Sequence, residues 1–326
     1  MVPADQRHPT ELMPSTDNAD HLPKPRVGCI GLGRLGWQLA ANLIASGFEV
    51  SGYRRRAREE FAGIGGRPAA SPAALAVSSD VIITCLPDEH ALEDVIGGPT
   101  GLLGAARPGQ IVVEVSTLAI AEKERQRDRL ALAGVAMLDC PLSGNPEFAR
   151  ARQAVAFISG DAGAIARARP VIAGFTNRAV ELGTFGNGSR MKYLANMLLA
   201  VHCMAAAEAF NAGARVGLTP EMIAEALNMG AAASRQLAIR APVVSGAKAG
   251  QLRGNTGAPH SEFPTIAEFL RSIGAATPLF DTAQQHYEAS IAAGHGGLDT
   301  SMIYTAILRT NSTPHPATPP VNPGNA

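Results

Sequence analysis

The sequence predicts an α/β N-terminal domain with a doubly wound parallel sheet, followed by an all-α C-terminal domain. Two observations predict this division. From Arg26 to about Gly183, short apolar runs rich in Val and Ile alternate with Ala-rich amphipathic stretches, a pattern typical of a parallel sheet covered on both faces. From Gly188 to about Leu308 the strand-like runs stop and helical patterns take over.

The elements follow in chain order. Each predicted strand is a short apolar run, and the five runs are Val27–Gly31, Glu49–Tyr53, Val81–Leu86, Ile111–Val115 and Val135–Asp139. The stretch Ser189–Val216 predicts one long helix, apolar on nearly every face, which we expect to join the two domains and to be buried between them. Gly217 ends that helix, and Thr219-Pro220-Glu221 opens the next with a cap, a first-turn proline and an acid.

The chain has 326 residues, of which 46% are hydrophobic. At roughly 150 residues per domain this is enough for two domains with their own cores. The two ends, Met1–Pro25 and Asn311–Ala326, are polar and rich in proline, and we expect them to be disordered. The predicted organisation is a tail over 1–25, a nucleotide-binding domain over 26–185, a helical domain over 186–310 and a tail over 311–326.

Composition excludes several function classes. Basic and acidic residues balance at 28 each, so neither nucleic acid nor an anionic membrane is the expected partner. The longest apolar run, Met197–Ala207, is shorter than the ~18–20 residues that span a bilayer, and Met1–Pro25 lacks a secretory signal. We therefore expect a cytoplasmic protein.

No metal site is expected either. The cysteines are isolated from one another, without a C-x-x-C pair, at Cys29, Cys85, Cys140 and Cys203. The histidines without a neighbour at metal-ligand spacing include His202, His260, His286 and His295.

A glycine motif follows the first predicted strand directly. Gly31-Leu32-Gly33-Arg34-Leu35-Gly36 is a G-x-G-x-x-G pattern that precedes a helical stretch, as a dinucleotide-binding Rossmann unit requires. The first glycine permits the tight turn, the second lets the backbone approach the pyrophosphate, and the third lets helix and strand pack closely. The alternative is a tight turn without a ligand.

The end of the second predicted strand bears on the choice of cofactor. An NAD site normally has an acidic residue there, about 20 residues past the glycines. This chain has Arg54, Arg55 and Arg56 instead, and guanidinium groups bind a 2′-phosphate that a carboxylate would repel. We expect NADP(H) to be preferred over NAD(H). The alternative is a solvated basic turn.

The remaining motifs resemble one known family. They are Gly31–Leu43, Thr84-Cys-Leu-Pro87, Glu114-Val-Ser-Thr117, Asp139-Cys-Pro-Leu-Ser-Gly144 and Gly183–Asn196, which includes Lys192. Their order and spacing over about residues 26–245 resemble the β-hydroxyacid dehydrogenase family, which contains 3-hydroxyisobutyrate dehydrogenase and tartronate semialdehyde reductase and is built like 6-phosphogluconate dehydrogenase. The resemblance implies an NAD(P)-dependent oxidoreductase that interconverts a small 3-hydroxy acid and its semialdehyde.

The resemblance also implies roles for individual residues. Lys192 would be the catalytic proton donor and acceptor, and Asn196, four residues further along the same predicted helix, would hold the substrate. Ser143, Gly144 and Asn145 would bind the substrate carboxylate, although the family more often has Ser-Gly-Gly here. Residues on the nicotinamide side would be Leu86, Pro87 and Thr117. Each also has a structural alternative, as a helix-end lysine or an ordinary loop residue.

One part of the chain departs from the family. Most relatives carry a Lys-Asp pair in the C-terminal domain, and the matching position here is Ser261-Glu262. The stretch Gly246–Pro264 carries four glycines and two prolines, which predicts a loop where a helix is expected. Two other functions therefore stay open: an imine reductase-like enzyme and an inactive cofactor-binding scaffold.

Assembly is expected from composition and resemblance together. Between residues 151 and 250 the chain has 26 alanines, which favours close helix packing. The resemblance implies a homodimer or homotetramer formed through the helical domain, acting on a small carboxylate-bearing substrate.

Overall fold

A computed structural model describes residues 24–54, 59–245 and 262–295, together with 303, 304 and 307. Contacts between residues divide the chain into two compact units, with the boundary between Ala195 and Asn196. The predicted tails lie outside the described residues except for Lys24 and Pro25, and the Lys24 ammonium donates to the carbonyl of Ser46 at 2.8 Å.

The first unit contains a six-stranded parallel sheet. Its strands are β1 (Val27–Ile30), β2 (Val50–Tyr53), β3 (Arg67–Pro68), β4 (Val81–Thr84), β5 (Ile111–Glu114) and β6 (Ala136–Asp139), in the order β3-β2-β1-β4-β5-β6. This confirms the predicted α/β fold and its five strands. The added edge strand β3 has only two residues, one of them a proline, so it left no apolar run to recognise.

The strands are in register at their carboxyl ends. Ile30 pairs with Tyr53 on one side and with Thr84 on the other, and the row continues through Glu114 to Asp139. We call this row the carboxyl edge. The loops that follow it emerge side by side.

Helices cover both faces of the sheet. They are α1 (Arg34–Ala45), α2 (Glu59–Gly63), α3 (Pro72–Val77), α4 (Glu89–Gly97), α5 (Ile120–Leu132), α6 (Pro146–Arg150) and α7 (Ala162–Phe175), with a 3-10 turn at Leu102–Gly104. Neighbouring strand residues point to opposite faces, so Ile83 packs in the core that contains Leu39 of α1, while Ile82 packs in the core that contains Leu92 of α4. Burial on both faces explains why the strands are continuously apolar.

A second, smaller sheet completes this unit. It contains β7 (Leu142–Ser143), β8 (Val155–Ile158) and β9 (Arg178–Glu181) in that order, with β7 antiparallel and β9 parallel to β8. The sequence analysis did not predict these strands. They are short, and β9 is largely exposed, so the strong apolar signal of the main sheet is missing.

The long predicted helix is present as α8 (Asn187–Ala214). It begins two residues before the predicted start and ends two residues before the predicted end. By length and composition α8 is the one helix of the described chain that reaches the size of a membrane span. It carries Lys192 and Asn196, both buried, and such polar side chains are costly in hydrocarbon. The expected burial of the whole helix is only partly seen, because 39% of its apolar window is buried while Met191, Leu194 and Leu198 are exposed.

The second unit is helical in its described part, as predicted. Its further helices are α9 (Pro220–Asn228), α10 (Arg235–Val244), α11 (Phe263–Ser272) and α12 (Pro278–Ser290), followed by a π-helical turn at Ile291–His295. The predicted start of α9 is confirmed, because the Thr219 hydroxyl accepts from the backbone N–H of Met222 and Pro220 lies in the first turn.

The predicted loop Gly246–Pro264 is wrong at its end. Phe263 and Pro264 belong to the first turn of α11, where a proline is tolerated because its missing N–H would have no intrahelical partner. Phe263 is buried against Phe280 and Tyr287 of α12, with ring centroids 5.6 and 5.1 Å apart. Residues 246–261 lie outside the described residues.

Candidate functional site

The glycine motif forms a tight turn from β1 into α1. Gly31 has a φ of +89°, and a Cβ at this position would lie 2.1 Å from the carbonyl oxygen of Cys85. A Cβ on Gly36 would lie 2.2 Å from the carbonyl oxygen of Gly31. Both positions therefore require glycine, one for the turn and one for the close packing of α1 on the strands.

Gly33 is different, because nothing crowds it. A Cβ on Gly33 would meet no atom within 4 Å. Gly33 is also the N-cap of α1, where no side chain caps the helix and the first turn carries no acidic residue. The first N–H groups of α1 thus lie beside open space at the positive end of the helix dipole, which suits a phosphate group. The residues present fit the pyrophosphate of a dinucleotide.

The other residues of the motif divide between the core and the surface. The side chain of Leu32 is 2% exposed and belongs to the core, whereas Arg34 is exposed and Leu35 is half-buried. Leu32 can therefore contact a ligand only through its backbone, whereas the Arg34 side chain is also accessible.

The strand order places a topological switch point beside this turn. From β1 the chain adds β2 and β3 on one side of the sheet, and it then crosses to add β4, β5 and β6 on the other side of β1. Loops diverge at such a switch point, and ligands bind there in open α/β sheets. The loop after β4 carries Leu86 and Pro87, and the N–H of Leu86 donates to the Ser116 hydroxyl at 2.7 Å. Thr117, the next residue, is half-buried. The structure thus brings the predicted nicotinamide-side residues to one edge.

The basic turn after β2 is only partly described. Arg54 is exposed, and its guanidinium makes no hydrogen bond or ion pair with another residue of the described chain. Arg55 and Arg56 lie outside the described residues.

The predicted carboxylate loop joins β7 to α6. Ser143 ends β7 opposite Val155, and Gly144 has a φ of +151°. Asn145 is the N-cap of α6, and its Oδ1 accepts from the N–H of Phe148 at 2.9 Å. The side-chain oxygen of Asn145 is therefore engaged locally, which leaves the side-chain N–H groups for any ligand.

Lys192 and Asn196 lie on α8, four residues apart, and are 8% and 3% exposed. The Nδ2 of Asn196 donates to a carboxylate oxygen of Glu262, with a contact shorter than an ordinary hydrogen bond. Glu262 is the acidic member of the position where the family carries Lys-Asp. A carboxylate is therefore retained there, while Ser261 lies outside the described residues.

A buried polar network at the carboxyl edge was missed by the sequence analysis. Lys123 of α5 and Asp139 at the end of β6 form an ion pair of 2.9 Å, with both side chains 0% exposed. The Lys123 ammonium also donates to the carbonyl of Ser116 at 2.6 Å and to the hydroxyl of Ser189 at 3.2 Å. Asp139 accepts from the N–H and the hydroxyl of Ser189, both at 2.7 Å.

Glu114 is a second buried carboxyl group in this region. It accepts from the N–H of Ser116 at 2.6 Å and makes a short contact with the Thr84 hydroxyl. Burial raises the pKa of Glu114, and the nearby Lys123 ammonium offsets this only in part.

A sequence signal for Lys123 did exist. The buried residues of α5 are Lys123, Gln126 and Leu130, spaced as one helix face. A lysine and a glutamine on the face that must contact the sheet indicate buried partners, but the pattern does not identify those partners.

Among the described residues, no group of three or more His, Cys, Asp or Glu side chains is placed to hold a metal ion.

Comparison with known proteins extends these observations. Residues 26–183 match the family model described as the NAD binding domain of 6-phosphogluconate dehydrogenase, and residues 186–307 match the model described as NAD-binding of NADP-dependent 3-hydroxyisobutyrate dehydrogenase. The chain is 31% identical over 290 residues to L-threonate dehydrogenase of Cupriavidus necator, covering 85% of this chain and 94% of that protein.

Two further similar proteins are both named 3-hydroxyisobutyrate dehydrogenase. The mitochondrial 3-hydroxyisobutyrate dehydrogenase of Rattus norvegicus is 30% identical over 226 residues, covering 69% of this chain and 68% of that protein. A solved structure of the Mycobacterium tuberculosis 3-hydroxyisobutyrate dehydrogenase with L-serine is 26% identical, with a TM-score of 0.78 over 87% of this chain and 99% of that one.

Proposed function

Since this chain belongs to the β-hydroxyacid dehydrogenase family, we propose that it interconverts a small 3-hydroxy acid and its semialdehyde with NADP(H). The observation that carries the proposal is Lys192, a buried lysine on α8 with Asn196 four residues further on. A buried amine one helical turn from a carboxamide can exchange a proton with a bound oxygen that the carboxamide orients. Together with the glycine turn, it supplies the groups that this reaction needs.

The chain's own residues would act mainly on the substrate. When bound, the nicotinamide supplies or accepts the hydride. In the direction of reduction, the Lys192 ammonium donates a proton to the carbonyl oxygen as negative charge develops there. In the direction of oxidation, the neutral Lys192 amine accepts the proton of the substrate hydroxyl. Asn196 orients that oxygen, and Glu262 holds the Asn196 carboxamide through the hydrogen bond to Nδ2.

The loop from β7 to α6 would take the substrate carboxylate. The Ser143 hydroxyl, the backbone N–H groups around Gly144 and the Asn145 side-chain N–H groups are the donors available there. The cap formed by the Asn145 Oδ1 orients its carboxamide. Binding of a carboxylate by such donors favours short acids over neutral alcohols.

Cofactor binding would involve the glycine turn and the loops after β4 and β5. The N–H groups of the first turn of α1 would face the phosphates, since the N–H of Gly33 itself donates to the carbonyl of Gly31. Leu86, Pro87 and Thr117 would line the nicotinamide side. Arg54, with Arg55 and Arg56, would bind the 2′-phosphate. The matching family model, whose description specifies an NADP-dependent enzyme, supports this preference.

The first experiment is a turnover assay on a panel. The purified protein is mixed with NADPH or NADH and with short semialdehydes and keto acids, and the loss of nicotinamide absorbance is followed. The proposal expects turnover of a semialdehyde with NADPH in preference to NADH. Turnover of cyclic imines but of no carbonyl compound would favour the imine reductase alternative. Tight NADPH binding without turnover of any compound would favour the scaffold.

The cofactor preference has its own test. Arg54→Gln removes a charge-assisted hydrogen bond worth about 1.5–3 kcal/mol, so we expect NADPH to bind about 10- to 100-fold more weakly while NADH binding stays unchanged. Arg178→Gln, which changes an exposed arginine on β9, is the matched control. Equal weakening of both cofactors by Arg54→Gln contradicts the assignment.

Assembly and location are further proposals of the same kind. The second unit exposes large apolar side chains, among them Val216, Met222, Met229 and Leu279, and we expect a homodimer or homotetramer through the helical domain in the cytoplasm. Light scattering coupled to gel filtration measures the mass. A monomer at micromolar concentration contradicts the oligomer.

A further inference from the structure

The buried network around Lys123 connects three elements of the first unit, two of which carry residues that the proposed function uses. Its ammonium lies on α5 and contacts three separate elements: the loop after β5 through Ser116, the end of β6 through Asp139, and the first turn of α8 through Ser189. The neighbour of Ser116 is Thr117, on the proposed nicotinamide side. No part of the proposed chemistry requires a cation at this position.

The network fixes the start of α8 in particular. Asp139 accepts from both the N–H and the hydroxyl of Ser189, and the Ser159 hydroxyl accepts from the N–H of Gly188 at 2.9 Å. A Cβ on Gly188 would lie 2.4 Å from the carbonyl oxygen of Phe157. This turn is therefore held by hydrogen bonds and by close backbone packing.

A second anchor lies one turn further along α8. The hydroxyl of Tyr193, a side chain that is 1% exposed, donates to the carbonyl of Leu118 at 2.6 Å. Ser189 and Tyr193 are spaced by four residues, so both lie on one face of α8. Tyr193 contacts the loop after β5 directly, whereas Ser189 contacts Asp139 and Lys123. Lys192 lies between these two anchors, three residues after Ser189.

The energetics argue that the network has a positional role. A fully buried ion pair is often no more stabilising than well-packed apolar residues, because desolvation offsets the attraction. What the charges add is directional geometry, since three donor contacts from one ammonium fix three elements at once. A displacement of about 1 Å in a catalytic group can lower a rate by about 100-fold.

We propose that Lys123 is a positioning residue, which clamps the first turn of α8 to the loop after β5 through Asp139, Ser189 and Ser116 and so holds Lys192 in place for proton transfer. This inference rests on the proposed function, because it assigns a role relative to the Lys192 chemistry. Lys123 itself does not touch substrate or cofactor.

The main test replaces both charges together. The double variant Lys123→Met, Asp139→Asn removes both members of the buried ion pair, and the Asn carboxamide still accepts from the Ser189 N–H. Burial raises the pKa of Glu114 and so favours its neutral form once the ammonium is gone. We expect kcat to fall about 10- to 100-fold, with the NADPH dissociation constant within twofold of the wild type. In the protein without cofactor, amide exchange at residues 187–192 should accelerate. Gln110→Met is the control, because it removes buried hydrogen bonds at the opposite end of β5 and should lower Tm without lowering kcat.

The outcomes separate clearly. Wild-type turnover with an unchanged kcat and unchanged amide exchange in the double variant overturns the positioning role and leaves the proposed function standing. An absence of wild-type turnover overturns the proposed function itself. If the double variant does not fold, Ser189→Ala combined with Tyr193→Phe removes only hydroxyl groups from α8. This pair should lower kcat about tenfold, and an unchanged kcat again overturns the proposal.

Discussion

The two ends of the six-stranded sheet hold their polar groups in opposite ways. At the amino end, Gln110 is a neutral buried residue that donates to the carbonyls of Ala76 and Ser79, both at 2.7 Å. The ion pair there, Arg26 with Asp80 at 2.8 Å, is nearly half exposed. At the carboxyl edge Glu114, Lys123 and Asp139 are all completely buried.

We infer from this difference that the carboxyl edge serves activity as well as stability. Exposed ion pairs and neutral amides close loops at little cost. Buried charges require desolvation, and removing one partner typically costs about 3–5 kcal/mol. In this chain the desolvated charges lie at the end of the sheet where the loops diverge and where α8 begins. The carboxyl edge is therefore where altered residues should change activity, and the amino end is where they should change stability alone.

The largest expected effect tests this division directly. Lys192→Ala should lower kcat by about 10²- to 10⁴-fold, the usual contribution of a general acid or base, with little change in Tm. Gln110→Met should do the reverse, because carbonyls left without partners cost about 1–3 kcal/mol each while the site is untouched. Steady-state kinetics and thermal unfolding measure both. A Lys192→Ala enzyme with full activity removes the proposed mechanism.

The first two glycines of the turn, Gly31 and Gly33, give the next comparison. Gly31→Ala forces a Cβ against the carbonyl of Cys85 at a positive φ, so we expect a loss of about 2–5 kcal/mol in the free energy of unfolding. Gly33→Ala adds a methyl group in open space and should leave stability within about 0.5 kcal/mol. It should weaken NADPH binding about tenfold, because the methyl group stands where the pyrophosphate approaches.

Fluorescence titration of NADPH and urea unfolding separate these two outcomes. Undiminished NADPH binding by Gly33→Ala would mean that no phosphate approaches this backbone. A Gly31→Ala protein of wild-type stability would mean that the turn relaxes at no cost.

The sequence predicted the parts of this fold that leave a local pattern. The apolar strands, the glycine turn and the Thr219 cap were all recognisable, because each depends on neighbours in the chain. The network of Lys123 and Asp139 was not, because the two residues are 16 positions apart and meet only when α5 packs beside β6. The hydrogen bond from Asn196 to Glu262 was missed for the same reason, because the two residues are 66 positions apart. The strand β9 was missed because it is largely exposed and so has no apolar run.

The smallest expected effect is a difference in pH dependence between two carboxyl groups. Hydrogen bonding to Arg26 lowers the pKa of Asp80, so the stability it contributes is present above the unfolded pKa of about 3.9 and is lost as pH falls through the folded pKa. Asp80→Asn should therefore cost at most about 1 kcal/mol at pH 7, as expected for an exposed pair, and nothing once the pH has fallen below the folded pKa of Asp80.

Glu114 should show the opposite dependence. Burial raises its pKa, so its favourable contribution is complete below the unfolded pKa of about 4.3 and is lost as pH rises through the folded pKa. Glu114→Gln keeps the acceptor for the Ser116 N–H without the ionisation, so its stability relative to the wild type should increase as the pH rises above the unfolded pKa. Urea unfolding across this range measures both slopes. Slopes of the same sign would mean that the carboxyl edge is hydrated, and the contrast between the two ends of the sheet would fail.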